Sequence, residues 1–565
     1  MSTNLFDHLD AIAADLDSGP CWTPRAPFDP HEKYDLRLIP RVEGWQRSTE
    51  SRKALEAIEA DPIVAAVETD GEEVWLRLTD EWVERKGMAL EEADPEETTH
   101  TDLAAGERYA LNFWDANSTK ALHVGHLRNL ALGNALGSAL EQAGAEVERR
   151  SLICDVGRSM GEAMAGVVKS GRHTQLWPDG GQKSDHFVGY CYADYVMAGR
   201  SSGVSDRAED SVARESNVHG DDADELINSV LAGDVEALEL WSKTRAWVIS
   251  GQRKTLGRLG VAFDKVFFES DFLPEVEELT AAGLEQGRLY KRHDGVVVYE
   301  TGREEMEEMP MLRSDGLPTQ HMRALAYWMA APELDGTTSV QVCGSEWVAH
   351  VTCRRKLMDE FAEGGTGKGA LHPKHDVFYG MVAKQKRALT SSDEEALLID
   401  DLVEWIDGEL VTEPERDEVR RAHPGSDRVP AQIALGYYLT HPTAKRVDFE
   451  PENLLQAERS LGWDLARARS RPAINGHGNG SLAAAAAKGG ERAEDFEYRF
   501  AVVQAEMYRR FLRNSIERLD VNPLSHYITH LVRWHLERDR GPRVERVVQT
   551  VLAQGSSGLG FEGPR

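Results

Sequence analysis

The 565-residue sequence predicts an α/β protein: an open parallel sheet with flanking helices, a small α+β unit ahead of it and an all-helical unit behind it. Three observations carry this. Tyr109, Leu111 and Phe113 alternate as on one face of a strand that runs into a polar turn. Leu132, Leu136 and Leu140 then recur every four residues, as on the buried stripe of a helix. After Gly144 a second apolar run, Val147 to Ile153, ends in Cys154-Asp155-Val156-Gly157. Such a strand–helix–strand unit carries polar residues at the carboxyl ends of both strands, where open parallel sheets bind ligands.

Residues 1–105 read as the small α+β unit. Ala54 to Ala60 is helical, while Ile63 to Glu68 and Val74 to Leu78 suit strands. This stretch carries a net charge of −15, so its surface should repel phosphate. Residues 106–400 form the parallel-sheet unit. A polar stretch from Arg200 to Glu225, without apolar period, reads as a surface loop or insertion. Phe361 to Ala370 is turn-rich, but it lacks the Gly-x-x-x-x-Gly-Lys-Ser/Thr order of a phosphate loop. Residues 401–565 are mainly helical, interrupted by a low-complexity segment at 470–492. The helices of 493–548 hold 10 Arg, no Lys and 9 acidic residues. Their arginines suit either a solvated face or an RNA-binding stripe.

The whole chain has 96 acidic and 65 basic residues, net −31, with a pI near 5.1. That balance argues against a general nucleic-acid coat, though a local basic face could still meet RNA. Abundant Arg and Ala fit a GC-rich genome, and a salt-adapted host fits as well. Cys21, Cys154, Cys191, Cys343 and Cys353 show no paired spacing, which points to a reducing, cytoplasmic setting. The start of the chain has no signal-peptide core, and no apolar run reaches a membrane span. A soluble monomer with no membrane or DNA partner is expected.

His123-Val124-Gly125-His126 stands at the entrance of the predicted helix. Unpaired backbone N–H groups and the positive dipole end favour phosphate there. A buried histidine pair that merely caps the helix is the alternative. A metal pair is not supported, since no third ligand cluster, CxxC or HExxH accompanies it.

His-Val-Gly-His resembles the HIGH signature of class I aminoacyl-tRNA synthetases. The surrounding Ala116-Asn-Ser-Thr-Lys-Ala-Leu-His-Val-Gly-His-Leu-Arg-Asn129 is similar to the arginyl-tRNA synthetase version, and Cys154-Asp-Val-Gly-Arg-Ser159 to that family's next strand end. Further matches follow in order: Ser184 to Tyr192, Leu259 to Ser270, Ser314 to Tyr327, Tyr379 to Val382, Ile399 to Leu402, and the closing helix from Val547. The resemblance implies a Rossmann-type catalytic domain with an N-terminal domain and a helical anticodon-binding-like domain. It also implies ATP-dependent activation of an amino acid, arginine by family, as its adenylate, with transfer to tRNA.

In that resemblance His123 and His126 are the catalytic phosphate donors, and Gly125 leaves room for adenine. Mg²⁺ would come with ATP, held mostly by phosphates and water. The mobile KMSKS loop corresponds to Ala388-Leu-Thr390-Ser391-Ser392, where Ala388 replaces the first lysine and Lys384, Lys386 or Arg387 could supply the charge. Asn117 would hold the amino acid's main-chain groups. Asp155, Glu269, Gln320, Ala324, Glu346 and Trp347 fall in the expected substrate pocket, and Arg509, Arg510 and Arg513 are the candidate tRNA contacts. The pocket departs from the family: Gln320 and Ala324 stand where Tyr and Asp face a guanidinium, and Asn112 stands where many relatives carry an acid. A guanidinium fork prefers a planar carboxylate partner, so arginine is expected to be a poor substrate. Two alternatives follow: a paralogue that activates another amino acid or uses a non-tRNA acceptor, and an inactive synthetase-like binding protein. With an acidic N-terminal domain, tRNA is expected to be a doubtful partner.

Overall fold

A computed structural model describes residues 4–14, 22–25, 33–40, 45–71, 73–94, 100–172, 182–201, 218–331, 336–365, 375–384, 387–388, 397–422, 428–470, 491–537 and 540–561. The amino-terminal unit starts with α1 (Leu5–Ala14) and forms a four-stranded antiparallel sheet. Its strands are β1 (Trp22–Arg25), β2 (Leu36–Pro40), β3 (Val64–Asp70) and β4 (Glu73–Leu78), in the order β1-β2-β4-β3. Val74, Leu76 and Leu78 are fully buried while Glu73, Trp75 and Arg77 are half-exposed, the period-two pattern of a sheet with one wet face. Helix α2 (Thr49–Glu59) packs against β3, and α3 (Asp80–Glu92) packs against the carboxyl-terminal helices.

The central sheet has five parallel strands in the order β12-β11-β5-β6-β7: β5 (Arg108–Asn117), β6 (Glu146–Cys154), β7 (Lys265–Phe268), β11 (Thr337–Gly344) and β12 (His375–Tyr379). Between β5 and β6 lies α4 (Leu127–Gln142). It turns into β6 at Gly144, whose φ of +96° and closeness to the Thr101 carbonyl leave no room for a side chain. A register shift between Asn112 and Trp114 bulges β5, and Asn129 Nδ2 donates to the Phe113 carbonyl there at 2.9 Å. Beyond the bulge Trp114 and Ala116 point into the core, while Asp115 and Asn117 point out.

Between β6 and β7 come α5 (Arg158–Lys169), α6 (Ser184–Ser201), α7 (Asp222–Leu231) and α8 (Val235–Leu259). Helix α7 begins inside the stretch expected to be loop, because Asp221 caps it by accepting from Asp224 N–H; residues 202–217 lie outside the described set. After β7 follow α9 (Leu273–Glu285) and an antiparallel sheet of β8 (Leu289–Lys291), β9 (Val297–Arg303) and β10 (Met306–Leu312). Then α10 (Gln320–Ala330) leads into β11, and α11 (Val348–Glu363) into β12. The turn-rich stretch after Phe361 is helical to Glu363, and residues 366–374 are outside the described set. Short strands β13 (Val382–Lys384), β14 (Arg387–Ala388) and β15 (Val447–Asp448) pair beside the sheet.

The remainder is helical: α12 (Ile399–Glu409), α13 (Pro414–Ala422), α14 (Arg428–Leu439), α15 (Leu461–Ser470), α16 (Glu491–Arg518), α17 (Asn522–Leu536) and α18 (Pro542–Gly558). Most of the low-complexity stretch, 471–490, is outside the described set. These helices brace α4 from behind: Asn134 donates to the Gly560 carbonyl at 3.0 Å and Gln142 to that of Gln554 at 3.2 Å.

The amino-terminal acids meet the carboxyl-terminal arginines. Arg499 binds Asp35 and Asp80, and Arg543 and Arg546 bind Glu91; one pair runs the other way, from amino-terminal Lys86 to Glu506. Arg509, Arg510 and Arg513, expected at tRNA phosphates, face this interface. Arg509 pairs with Asp7 and Asp102, Arg513 with Asp7, and Arg510 lies 3.9 Å from Asp10. Here the acidic excess of the first unit has a structural use, since it neutralises guanidinium groups that would otherwise repel one another along α16. Among the described residues, no helix is long and apolar enough to cross a membrane. Cys154, Cys191, Cys343 and Cys353 are free thiols.

Candidate active site at the carboxyl ends of the parallel strands

From β5 the chain steps one way to β6 and β7 and later the other way to β11 and β12. The connections diverge between β5 and β11, which opens a crevice at their carboxyl ends, where doubly wound sheets take ligands. His123 and His126 stand at its edge, ahead of α4. Each ring is locked through Nδ1: Gly125 N–H donates to His123 Nδ1 and His123 N–H to His126 Nδ1, both at 3.1 Å. The rings stack with centroids 3.8 Å apart, and Trp114 meets His126 edge-on at 5.5 Å. Burial holds His126 down at about 3, helped by the charge of Lys120. Burial also holds His123 well below its usual value, with His126 and Lys120 adding to the effect. Both imidazoles are therefore neutral, and with Nδ1 accepting, each carries its proton on Nε2. His123 Nε2 is buried with no hydrogen-bond partner.

The stretch around these histidines is stitched to the far side of the signature loop. Val124 N–H donates to the Leu397 carbonyl and Ile399 N–H to that of Leu122. Tyr438 donates to the Val124 carbonyl at 3.0 Å, and buried Arg128 donates to the carbonyls of Pro442, Thr443 and Lys445. Lys384 and Arg387 pair through their backbones on the near side, with Ala388 beside them. Lys386, Thr390, Ser391 and Ser392 lie outside the described residues. On its returning side, at Leu397 and Ile399, the chain therefore lies beside the histidine turn.

The expected substrate residues are distributed unevenly. Asn117 opens onto the crevice, and its carbonyl accepts from Gln252 at 2.9 Å. Asp155 is fully buried and does not face the crevice: it accepts from Arg245 and from the N–H and hydroxyl of Ser270. Its role is to pin the turn that carries Glu269. Glu269 does not present an unpaired carboxylate either, because Arg323 Nε donates to it at 2.5 Å and both side chains are buried. Gln320 and Ala324, half-buried, occupy the first turns of α10. Glu346 is exposed and folds over Gly344; burial of its surroundings raises its carboxyl above the ordinary range. Trp347 lies against His350 with tilted rings 5.3 Å apart and meets His321 edge-on at 6.4 Å. Burial holds His321 down at about 3.

Two features were missed in the sequence. Asp115 shares the outward face of β5 with Asn117, and strand alternation counted back from Asn117 would have found it. Asp400, at the start of α12, gathers Lys183, His186, Thr255 and Arg258. No local signal announces that latch, because Lys183 is 217 residues away.

A family model described as "tRNA synthetases class I (R), catalytic domain" matches residues 96–194. The arginine–tRNA ligase of Borrelia turicatae is 27% identical over 353 residues, 60% of this chain and 56% of that protein. The arginine–tRNA ligase of Amoebophilus asiaticus is 28% identical over 368 residues, 63% of this chain and 60% of that one. The chain thus spans less than two thirds of the length of these relatives. In fold it is similar to the arginyl-tRNA synthetase of Thermus thermophilus, with a TM-score of 0.65 at 19% identity over 99% of this chain and 98% of that one. The arginyl-tRNA synthetase of Plasmodium falciparum matches with a TM-score of 0.64 at 13% identity, again over 99% and 98%. The chain is thus similar to arginine–tRNA ligases in sequence over about 60% of its length, and to arginyl-tRNA synthetases in fold over nearly all of it.

Proposed function

We propose that the chain is an ATP-dependent amino-acid–tRNA ligase of the arginyl type. One observation carries the reading: two neutral histidines locked through Nδ1, so that both present Nε2–H at a helix entrance, one of these nitrogens being buried without a partner. An unsatisfied buried donor costs roughly 1–3 kcal/mol, which a phosphate oxygen would recover. As the amino-acid carboxylate attacks the α-phosphorus, charge grows on the phosphate oxygens. Fixed neutral donors stabilise that charge without offering a competing nucleophile. Mg²⁺ would arrive held by the phosphates. The Asp185–His186–Asp400 cluster does not fit a cation, since Lys183 Nζ already sits 2.9 and 2.7 Å from its two carboxylates. The expectation that tRNA is a doubtful partner is not borne out by the relatives, which are named arginine–tRNA ligases, and tRNA is the acceptor in this reading.

A second reading keeps the chemistry and changes the amino acid. Glu269 is neutralised by Arg323, and α10 offers Gln320 and Ala324 where a guanidinium would seek a carboxylate. One experiment addresses both readings: pyrophosphate exchange with each standard amino acid, with and without tRNA, for the wild type and His123→Ala/His126→Ala. Exchange that depends on an amino acid is expected, with a loss of about 100- to 1,000-fold for each phosphate donor removed. Exchange undiminished in the double variant would sink the ligase reading. Fast exchange with arginine would sink the second reading alone.

A further inference from the structure

We propose that Asp400 is a positioning residue for the activation step. It holds the chain that returns from the signature loop against the histidine turn, and so fixes where His123 and His126 present their donors. The proposal rests on the ligase reading above and adds to it a residue that acts through the backbone rather than on the substrate.

Asp400 lies in the first turn of α12, is 5% exposed and uses both carboxylate oxygens. Oδ2 accepts from Lys183 Nζ at 2.7 Å, from the Thr255 hydroxyl at 2.9 Å and, with the His186 proton on Nε2, from that nitrogen at 3.2 Å. Oδ1 accepts from Arg258 Nη1 at 3.1 Å. The Thr255 oxygen itself accepts from Lys183, which leaves its proton for Asp400. Burial alone would raise this carboxyl, but the bonds from His186, Lys183 and Thr255 outweigh it and hold the group well below the usual carboxylate range. Neighbouring Asp401, in the same first turn, is exposed. Either carboxylate suits the positive end of a helix. Only Asp400 is enclosed by four donors, and a helix end by itself requires no such enclosure.

Those donors come from two segments that also grip the approach to the histidines. On α8, Thr255 and Arg258 hold Asp400, and one turn earlier Gln252 donates to the carbonyls of Asn117 and Lys120, both at 2.9 Å. At the start of α6, Lys183 and His186 hold Asp400, and further along Gly189 packs on Lys120, whose side chain a Cβ there would meet at 3.2 Å. The two helices are set together without a gap, since a Cβ at Gly251 would lie 2.2 Å from the Asp185 carboxyl.

From Asp400 the path to the histidines is short. The preceding residue, Ile399, donates to the Leu122 carbonyl at 2.9 Å, and Val124 N–H donates to the Leu397 carbonyl at 3.0 Å. His123 and Leu398 face each other between these two bonds. Both imidazoles take their orientation from the N–H groups of Gly125 and His123, so a displacement of this backbone moves both Nε2 donors. Neutralising Asp400 leaves Lys183 and Arg258 underpaired beside each other, which loosens the start of α12 from α6 and α8. A misplacement of about 1 Å can cost on the order of 100-fold in rate.

The test measures pyrophosphate exchange by the full chain with the amino acid that exchanges fastest. Asp400→Asn should lower kcat about 10- to 100-fold and leave KM unchanged for ATP and for the amino acid, because the displaced donors act on charge that develops in the transition state. Asp401→Asn should match the wild type. Arg499→Met breaks a buried ion pair between the amino-terminal unit and α16, and it should lose stability while keeping its kcat. Hydrogen exchange followed by mass spectrometry should quicken at the amides of Val124 and Ile399 in Asp400→Asn but not in Asp401→Asn or Arg499→Met. Thr255→Val keeps the ion pairs and removes one hydroxyl; it should show the same pattern with a smaller fall in kcat, and it replaces Asp400→Asn if that variant does not fold. An unchanged kcat in the folded variant, a rise in KM alone, or amide exchange at Val124 and Ile399 no faster than in Arg499→Met would each overturn the assignment. No exchange by the wild type with any amino acid would instead sink the ligase reading, and this inference with it.

Discussion

Arg499 offers the sharpest test of how the amino-terminal unit is held. Its guanidinium is almost wholly buried and donates to Asp35 through Nε at 2.9 Å and Nη2 at 2.6 Å, to Asp80 at 2.6 Å and to the Leu78 carbonyl at 2.6 Å. Asp35 is 4% exposed on its side chain, whereas Asp80 is 84% exposed. Arg499→Met keeps the apolar stem and removes the charge. Asp80 simply returns to water, and such exposed pairs contribute about 0–1 kcal/mol. Asp35 cannot, and breaking a buried pair from one side typically costs about 3–5 kcal/mol because the remaining charge stays underpaired. We expect a loss of about 3 kcal/mol in urea unfolding followed by tryptophan fluorescence. Arg108→Met is the control: its pair with Glu146 is 48% and 68% exposed, and a loss under about 1 kcal/mol is expected. Adding Asp35→Asn to Arg499→Met should recover part of the loss, since the stranded charge is then gone. A loss for Arg499→Met no larger than that of Arg108→Met would show that the buried pair does not hold the unit in place.

Two further predictions concern α4 and pH. A Cβ at Gly133 would lie 2.1 Å from the Phe113 ring, so Gly133→Ala should cost about 1–3 kcal/mol by overpacking; an unchanged urea midpoint would refute that close helix–strand contact. Burial holds His100, His126, His321 and His441 down at about 4, 3, 3 and 4, against about 6.5 in the unfolded chain. Between pH 6.5 and 4 the unfolded chain therefore binds more protons than the folded one, so stability is full above about 6.5 and is lost as the pH falls. Melting temperatures at pH 7 and pH 5 check the sign, and a higher value at pH 5 would contradict it.

How much was legible depends on how far apart the partners lie. The strand through Tyr109 and Phe113, the helix carrying Leu132 and the turn holding His123 and His126 are all announced locally. Residues there are buried or exposed with the period of their own element. The same alternation makes Asp115 readable once Asn117 is placed. The locked tautomers of His123 and His126 are also local, since each ring is tied by a backbone N–H within three residues.

Glu269 was expected in the substrate pocket, but its partner Arg323, 54 residues on, changes what it can do. Arg509, Arg510 and Arg513 could be assigned to a polar helix face; what covers that face is Asp7, Asp10 and Asp102, some 400 to 500 residues earlier. Asp155 looked like a ligand at a strand end, and only the arrival of Arg245 and Ser270 makes it a brace.

From its sequence alone, this protein's central strands, its first long helix and the histidine turn between them were legible, because hydrophobic period and capping chemistry act over a few residues of chain. The tertiary structure alone decided which charges are spent on one another and which remain for a ligand. A carboxylate binds whichever cation the fold brings within about 3 Å, and that encounter depends on topology rather than on neighbours in sequence.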